Sequence, residues 1–129
     1  MYGIVNSMNK PKKILIIEDE KTLALALEMK LTRAGFEVKT VFDGEEGIAL
    51  LQEEIFALIL LDLIMPKMGG FMVLENLKIK KIKTPVMILT NLSQENDIKH
   101  TKEFGVKEFF IKSNTPIGTI VERVMKLLK

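Results

Sequence analysis

Several residues of this 129-residue chain that can do chemistry stand directly after short apolar segments. Glu18 and Asp19 follow Ile14–Ile17, Asp62 follows Ala57–Leu61, Thr90 follows Val86–Leu89, and Lys112 follows Phe109–Ile111. Singly, each has an ordinary explanation: Glu18 and Asp19 as first-turn acids, Thr90 as a cap, Asp62 as a loop start, Lys112 as a solvated cation. Gathered at one edge, they amount to three carboxylates, a hydroxyl and an ammonium. Clustered carboxylates repel one another and call for a cation, and an all-oxygen ligand set suits Mg²⁺, which takes few carboxylates and keeps several waters. A carboxylate can also attack phosphorus and form an acyl phosphate. The equatorial oxygens of the incoming phosphoryl group then need neutralising, which Lys112, Thr90 and a metal ion can do together.

Only a sheet whose strands all end at one edge would gather these groups. The hydrophobic pattern predicts one. Ile14–Ile17 is a short apolar run suited to a strand buried on both faces, Ala57–Leu61 reads as a wholly apolar strand, Val86–Leu89 and Phe109–Ile111 as two more strands, and Phe36–Val41 alternates as a further one. Between them lie segments of helical spacing. Thr22–Ala34 carries Leu23, Leu27 and Leu31 and closes at Gly35. Asp43 caps a helix bearing Ile48 and Leu51, and Phe71–Lys78 carries Val73, Leu74 and Leu77. Gln94–Phe104 ends at Gly105. Thr115 is expected to cap the last helix, with Pro116 in its first position and Ile117, Ile120, Val121, Val124 and Leu128 as its buried stripe. Strands separated by helices cannot pair as hairpins, so the expected fold is α/β: a doubly wound, five-stranded parallel sheet with five helices. Its crevice lies outside the carboxyl ends of the strands, where the reactive groups fall.

Composition agrees. The length fits one domain, expected over residues 10–129 with 1–9 as a flexible extension. With 47% hydrophobic residues, 28% charged residues and a mean hydropathy of +0.19, the chain can bury a good core. There is no cysteine, which excludes disulfides, zinc–thiolate sites and thiol nucleophiles. Met1–Asn9 has no secretory pattern and no run is long enough to span a membrane, so the expected location is the cytoplasm. The net charge of +2 comes largely from two lysine runs, Lys10/Lys12/Lys13 and Lys78/Lys80/Lys81/Lys83. Without interleaved aromatics or a reading helix, these are read as solvated turns, and no direct nucleic-acid binding is expected.

The stretches IIEDE (16–20), LILLDLIMPKMGG (58–70), PVMILTN (85–91) and EFFIKS (108–113) resemble the receiver domain of two-component response regulators, including the single-domain chemotaxis type. The resemblance covers roughly residues 12–129. It implies the flavodoxin-like (βα)5 fold and a phosphoacceptor role for Asp62, supplied by a sensor histidine kinase or a histidine phosphotransfer protein. It also implies a Mg²⁺ site in which Asp19 and Asp62 bind the metal directly and Glu18 through water, with the backbone carbonyl of Ile64 completing the protein's share. Thr90 would be the hydroxyl switch, Lys112 the phosphate-pairing lysine, and Phe109 the aromatic that turns inward behind Thr90. The output face toward a downstream protein would be the fourth helix, fifth strand and last helix. Such a domain is not an enzyme in the turnover sense, although it assists its own phosphorylation and dephosphorylation, and it would act as a monomer or weak dimer. Leu25 and Met29 lie about 200° around the first helix from its buried stripe, where similar receivers dock their phosphodonor.

The chain departs from the family pattern in places. Gly69 stands where Asp is usual and should affect loop capping more than chemistry. Ser113 replaces a Pro that is commonly cis, and Asn91 replaces a very small residue and should narrow access to the phosphoryl group. Ile64 and Leu92 are apolar and cannot orient an attacking water, so slow self-dephosphorylation is expected. His100 is expected to be an ordinary surface residue. Two rival readings are a receiver that has lost phosphorylation and serves as a docking piece, and a flavodoxin-like cofactor protein or acyl-phosphate phosphatase. The intact acidic set argues against the first. The lack of a Gly-rich phosphate loop after the first strand argues against flavin or nucleotide binding.

Overall fold

The computed structural model describes residues 10–92 and 95–129; the expected extension at 1–9 and the expected helix start at Gln94 lie outside them. Among the described residues, five strands and five α-helices alternate: β1 (Lys13–Ile17), α1 (Lys21–Arg33), β2 (Glu37–Val41), α2 (Gly44–Glu53), β3 (Leu58–Leu61), α3 (Gly70–Ile79), β4 (Val86–Thr90), α4 (Glu95–Glu103), β5 (Glu108–Ile111) and α5 (Ile117–Leu128). A single 3₁₀ turn, Lys112–Asn114, follows β5. All strand pairs are parallel, in the order β2-β1-β3-β4-β5. The order reverses between β1 and β3, and in such sheets the crevice opens at that point.

Period-2 alternation divides the central strands between two cores. Ile14, Ile16, Leu58, Leu60, Met87 and Leu89 face α1 and α5, which meet them with Ala24, Leu27, Leu31, Ile120 and Val124. Leu15, Ile17, Ile59, Leu61, Val86 and Ile88 face α2 and α3, which contribute Ile48, Leu51, Val73, Leu74 and Leu77. Because every side chain of β3 and β4 is buried, these strands read as unbroken apolar runs. The edge strand β2 is only partly covered and keeps the alternating pattern.

Two local expectations are corrected. Thr115 does not cap α5: its hydroxyl donates to the Ile111 carbonyl, 2.9 Å away, and Pro116 takes the cap position, outside the helix. That bond orients the hydroxyl back on the end of β5, and α5 begins without a side-chain cap. Thr90 does not follow β4 but is its last residue, paired with Ile111. Asp43 behaves as expected, accepting from the Glu46 N–H at 2.9 Å. No helix among the described residues is long and apolar enough to cross a membrane.

Candidate functional site

The ladder hydrogen bonds run one residue past the strands and carry the acids with them. The Glu18 N–H donates to the Val41 carbonyl at 3.1 Å and the Asp62 N–H to the Ile17 carbonyl at 3.0 Å. Both side chains are thereby fixed at the carboxyl edge of the central strands, where Glu18 is 2% and Asp62 4% exposed. Asp19, next along, is exposed. One carboxylate oxygen from each of Glu18, Asp19 and Asp62 lies within 4.8 Å of the others.

Lys112 closes the cluster from the far side of the sheet. Its Nζ is 2.7 Å from Glu18 Oε1 and donates to Asp62 Oδ2 at 3.1 Å. The other oxygen of Asp62 accepts the Ile64 N–H at 3.3 Å, and Glu18 Oε2 accepts the Glu20 N–H at 2.8 Å. Glu18 Oε1 has charge contact with Lys112 but no donor aligned on it. Burial pushes the Glu18 carboxyl up to about 7, with the Asp62 carboxylate adding to the push and Lys112 and the Glu20 N–H opposing it. Burial alone would lower Lys112, but its close contact with the Glu18 carboxylate and the charge of Asp62 outweigh this and raise it above the ordinary lysine value. The site thus holds more negative charge than its one ammonium compensates. An incompletely satisfied buried oxygen beside two further carboxylates fits a hard divalent cation such as Mg²⁺.

The loop that follows Asp62 is held by close backbone approach. The Gly70 N–H donates to the Leu63 carbonyl at 2.9 Å, and a Cβ on Gly70 would lie 2.4 Å from the Asp62 carbonyl oxygen. Only glycine lets α3 start this near the site. At the neighbouring Gly69, which begins α3 without a side-chain cap, an added Cβ would sit 3.0 Å from the Leu63 carbonyl oxygen. An acid in that place would therefore be crowded.

Glu18, Asp19, Asp62 and Lys112 form one cluster, whereas Thr90 lies beside it without a hydrogen bond to it. Thr90 is fully buried, and its Oγ1 accepts the Leu92 N–H at 3.4 Å. Phe109 pairs with Ile88 on the neighbouring strand and packs, half-buried, in the core under α2 and α3. Leu25 and Met29 stand out from α1, 55% and 49% exposed. Ile64 is 58% exposed beside the acceptor position, and Leu92 is half-buried. His100 is exposed, but its ring stacks on Phe71 at 4.7 Å and leans on Phe104 at 5.5 Å, tying α4 to α3.

Sequence reasoning missed one contact of the site. The Asn91 side chain accepts the Ser113 N–H at 3.1 Å, joining the loop after β4 to the turn after β5. Nothing in the local pattern could reveal it, since the two residues meet only through strand order.

Comparison with known proteins points the same way. Residues 14–124 match the model of the response regulator receiver domain. Among relatives, the probable transcriptional regulator ycf27 of Porphyra purpurea is 34% identical over 108 residues, covering 84% of this chain and 44% of that protein. The chain spans about half the length, or less, of the relatives it matches. Among solved structures, the Francisella response regulator 1452 receiver domain superposes with a TM-score of 0.82 at 32% identity, covering 90% of this chain and 95% of that one. The response regulator TrrA of Thermotoga maritima, solved in complex with Mg²⁺-BeF, gives 0.78 at 28% identity, covering 91% and 99%. With its parallel order β2-β1-β3-β4-β5 and acids at the carboxyl edge, the chain belongs to the receiver domain family of two-component response regulators.

Proposed function

We propose that Asp62 accepts a phosphoryl group from the phosphohistidine of a sensor kinase or phosphotransfer protein. The observation that carries this reading is the Lys112 ammonium held between Asp62 and Glu18, 3.1 and 2.7 Å away, at the end of β3. A carboxylate oxygen of Asp62 attacks phosphorus in line with the P–N bond. That bond breaks, its electron pair leaves on the imidazole nitrogen, the imidazole takes up a proton, and an aspartyl phosphate remains. Lys112 transfers its ion pair from the carboxylate to a phosphoryl oxygen, and the Thr90 hydroxyl donates to another. Mg²⁺ would be held by Asp19, Asp62 and the Ile64 carbonyl, with Glu18 behind a water, and it supplies charge neutralisation at the phosphoryl oxygens. The three-carboxylate set and the Mg²⁺-BeF complex of the Thermotoga relative support that choice of ion.

The consequence is a signal, not a turnover. Thr90 and Phe109 lie on adjacent strands facing the same core, which supports a coupled movement that reshapes α4, β5 and α5 for a downstream protein. The exposed pair Leu25 and Met29 supports phosphodonor docking on α1. The functional unit is residues 10–129, acting in the cytoplasm as a monomer or weak dimer, alone or as the receiver of a longer regulator. Incubation with Mg²⁺ and acetyl phosphate, followed by intact mass measurement, tests it. Wild type should gain one phosphoryl mass and Asp62→Asn none; a wild-type chain that gains nothing sinks the proposal.

A further inference from the structure

A cavity lies at the other pole from Asp62. It measures about 540 Å³ and sits between the carboxyl ends of α3 and α4 and the amino ends of β4 and β5. That volume falls within the roughly 300–1,000 Å³ common to small-molecule sites. Its floor is apolar, with Leu77 and Val86 buried and Ile82 and Phe104 half-buried. Its rim carries Lys78, Lys81, Lys83 and Lys107, all exposed, against one carboxylate, Glu103. Among the described residues, none of these four lysines takes part in a salt bridge. Helix dipoles favour lysine in a last turn, which accounts for Lys78. They do not account for Lys83 and Lys107, which precede strands.

Lys81 adds an independent observation. After α3, the Lys81 N–H donates to the Lys78 carbonyl and the Ile82 N–H to the Leu77 carbonyl, the double bond pattern of a helix end that needs one left-handed residue. After α1 and α4 that left-handed place is taken by glycine, Gly35 at φ +102° and Gly105 at φ +77°. After α3 it is taken by Lys81 at φ 57°. An L side chain is disfavoured there, as it is at Lys67 (φ 64°) in the loop after Asp62; at Lys81 the residue so held lines the cavity.

We propose that this cavity is a binding site for an amphipathic anion of mononucleotide size, its apolar or aromatic body on the floor and its phosphate, sulfate or carboxylate on the lysines. An occupant would touch Phe104, whose ring meets His100 and through it Phe71, so the site borders the helix on which signal output is proposed.

Anilinonaphthalene sulfonate, an aromatic sulfonate that fluoresces on leaving water, is the probe, titrated into the whole chain and followed by fluorescence and by backbone amide resonances. Saturable binding is expected, with resonance shifts centred on Leu77, Ile82, Val86 and Phe104. The triple variant Lys81→Gly, Lys83→Gln, Lys107→Gln should bind about tenfold more weakly, as expected for three exposed charge contacts. Lys126→Gln, outside the cavity, should bind as wild type does. Lys81→Gly alone should melt at a higher temperature yet bind more weakly, separating loss of the ammonium from loss of the fold. Wild-type binding by the triple variant, or shifts centred elsewhere, overturns the proposal. So does capture by phosphatidylglycerol vesicles or single-stranded DNA, lost in the triple variant, with no probe in the cavity.

Discussion

Lys112→Met removes the charge that holds the acidic cluster together while keeping most of the side chain's volume. The ammonium lies 2.7 Å from one buried carboxylate and 3.1 Å from another. At an effective dielectric of about 20, those contacts correspond to gross attractions of roughly 6 and 5 kcal/mol. The carboxylate oxygens lie within 4.8 Å of one another, so they repel by at least about 3 kcal/mol on the same scale. Desolvation cancels much of the attraction, but breaking a buried pair still costs about 3–5 kcal/mol because it strands the partner charges. Lys112 retains 12% exposure, which admits some solvent screening, and Glu18, already raised to about 7, takes up a proton once the ammonium is gone, so a loss of about 2 kcal/mol at neutral pH without metal is expected. In urea that amounts to a midpoint lower by about 1–2 M. Mg²⁺ should offset part of the effect. An ammonium beside the metal repels it, so removing Lys112 should tighten Mg²⁺ binding by about tenfold, and saturating Mg²⁺ should stabilise the variant more than wild type. Urea unfolding of both proteins with and without Mg²⁺ measures both terms. Equal midpoints without metal, or equal gains with it, would refute the argument that Lys112 compensates Glu18 and Asp62.

Asp43→Ala should cost about 1 kcal/mol by removing the cap on Glu46 N–H. That N–H is the main cause lowering the Asp43 pKa, so its contribution is complete above the unfolded carboxyl value and fades as pH falls through the lower folded one. Wild type and variant should therefore converge on acidification in urea titrations; a gap unchanged at pH about 2 contradicts the assignment. Gly70→Ala would set a Cβ 2.4 Å from the Asp62 carbonyl oxygen and 2.7 Å from Leu63 Cα. The backbone must shift, and a loss of about 1–3 kcal/mol together with slower phosphoryl uptake from acetyl phosphate is expected, read by urea midpoints and mass spectrometry. Ile64→Asn should leave stability within about 0.5 kcal/mol, since the side chain is 58% exposed. The new amide can orient a water, so the aspartyl phosphate, followed by intact mass after removal of donor, should decay about tenfold faster than in wild type. Wild-type decay within seconds in Mg²⁺ buffer would already contradict the slow release expected from Ile64 and Leu92.

The fold was legible because its signals are local and repeated. Asp43 caps α2, Gly35 and Gly105 terminate α1 and α4, and short apolar runs mark the three interior strands and the edge strand β5. The acidic groups were legible for a topological reason: strands that run parallel deliver whatever follows them to one edge. What stayed hidden depends on contacts between distant segments. An apolar run such as Leu58–Leu61 does not reveal which side chains face α1 and α5 and which face α2 and α3. Thr115 donates to the carbonyl of Ile111, a contact that the pattern of a helix start does not reveal. Lys81 has no sequence mark of its left-handed backbone, because glycine is the residue that advertises one.

The Asn91–Ser113 contact changes how the site's departures from the family pattern are understood. From the sequence, Asn91 is an obstruction to the phosphoryl group and Ser113 an uncertainty in the loop. In the structure they are two ends of one hydrogen bond, each beside a residue of the proposed mechanism: Asn91 beside Thr90, Ser113 beside Lys112. Both are exposed, so the bond contributes no more than about 1 kcal/mol to stability. Its consequence is geometric. If Thr90 moves toward a phosphoryl group while Lys112 exchanges a carboxylate for a phosphoryl oxygen, the two loops must travel together or part at this bond. A small residue after Thr90 would leave the loops joined only through the ladder that ends at Thr90 and Ile111. Here the hydroxyl and the ammonium, which meet no common partner in the resting site, are mechanically joined one residue away from each.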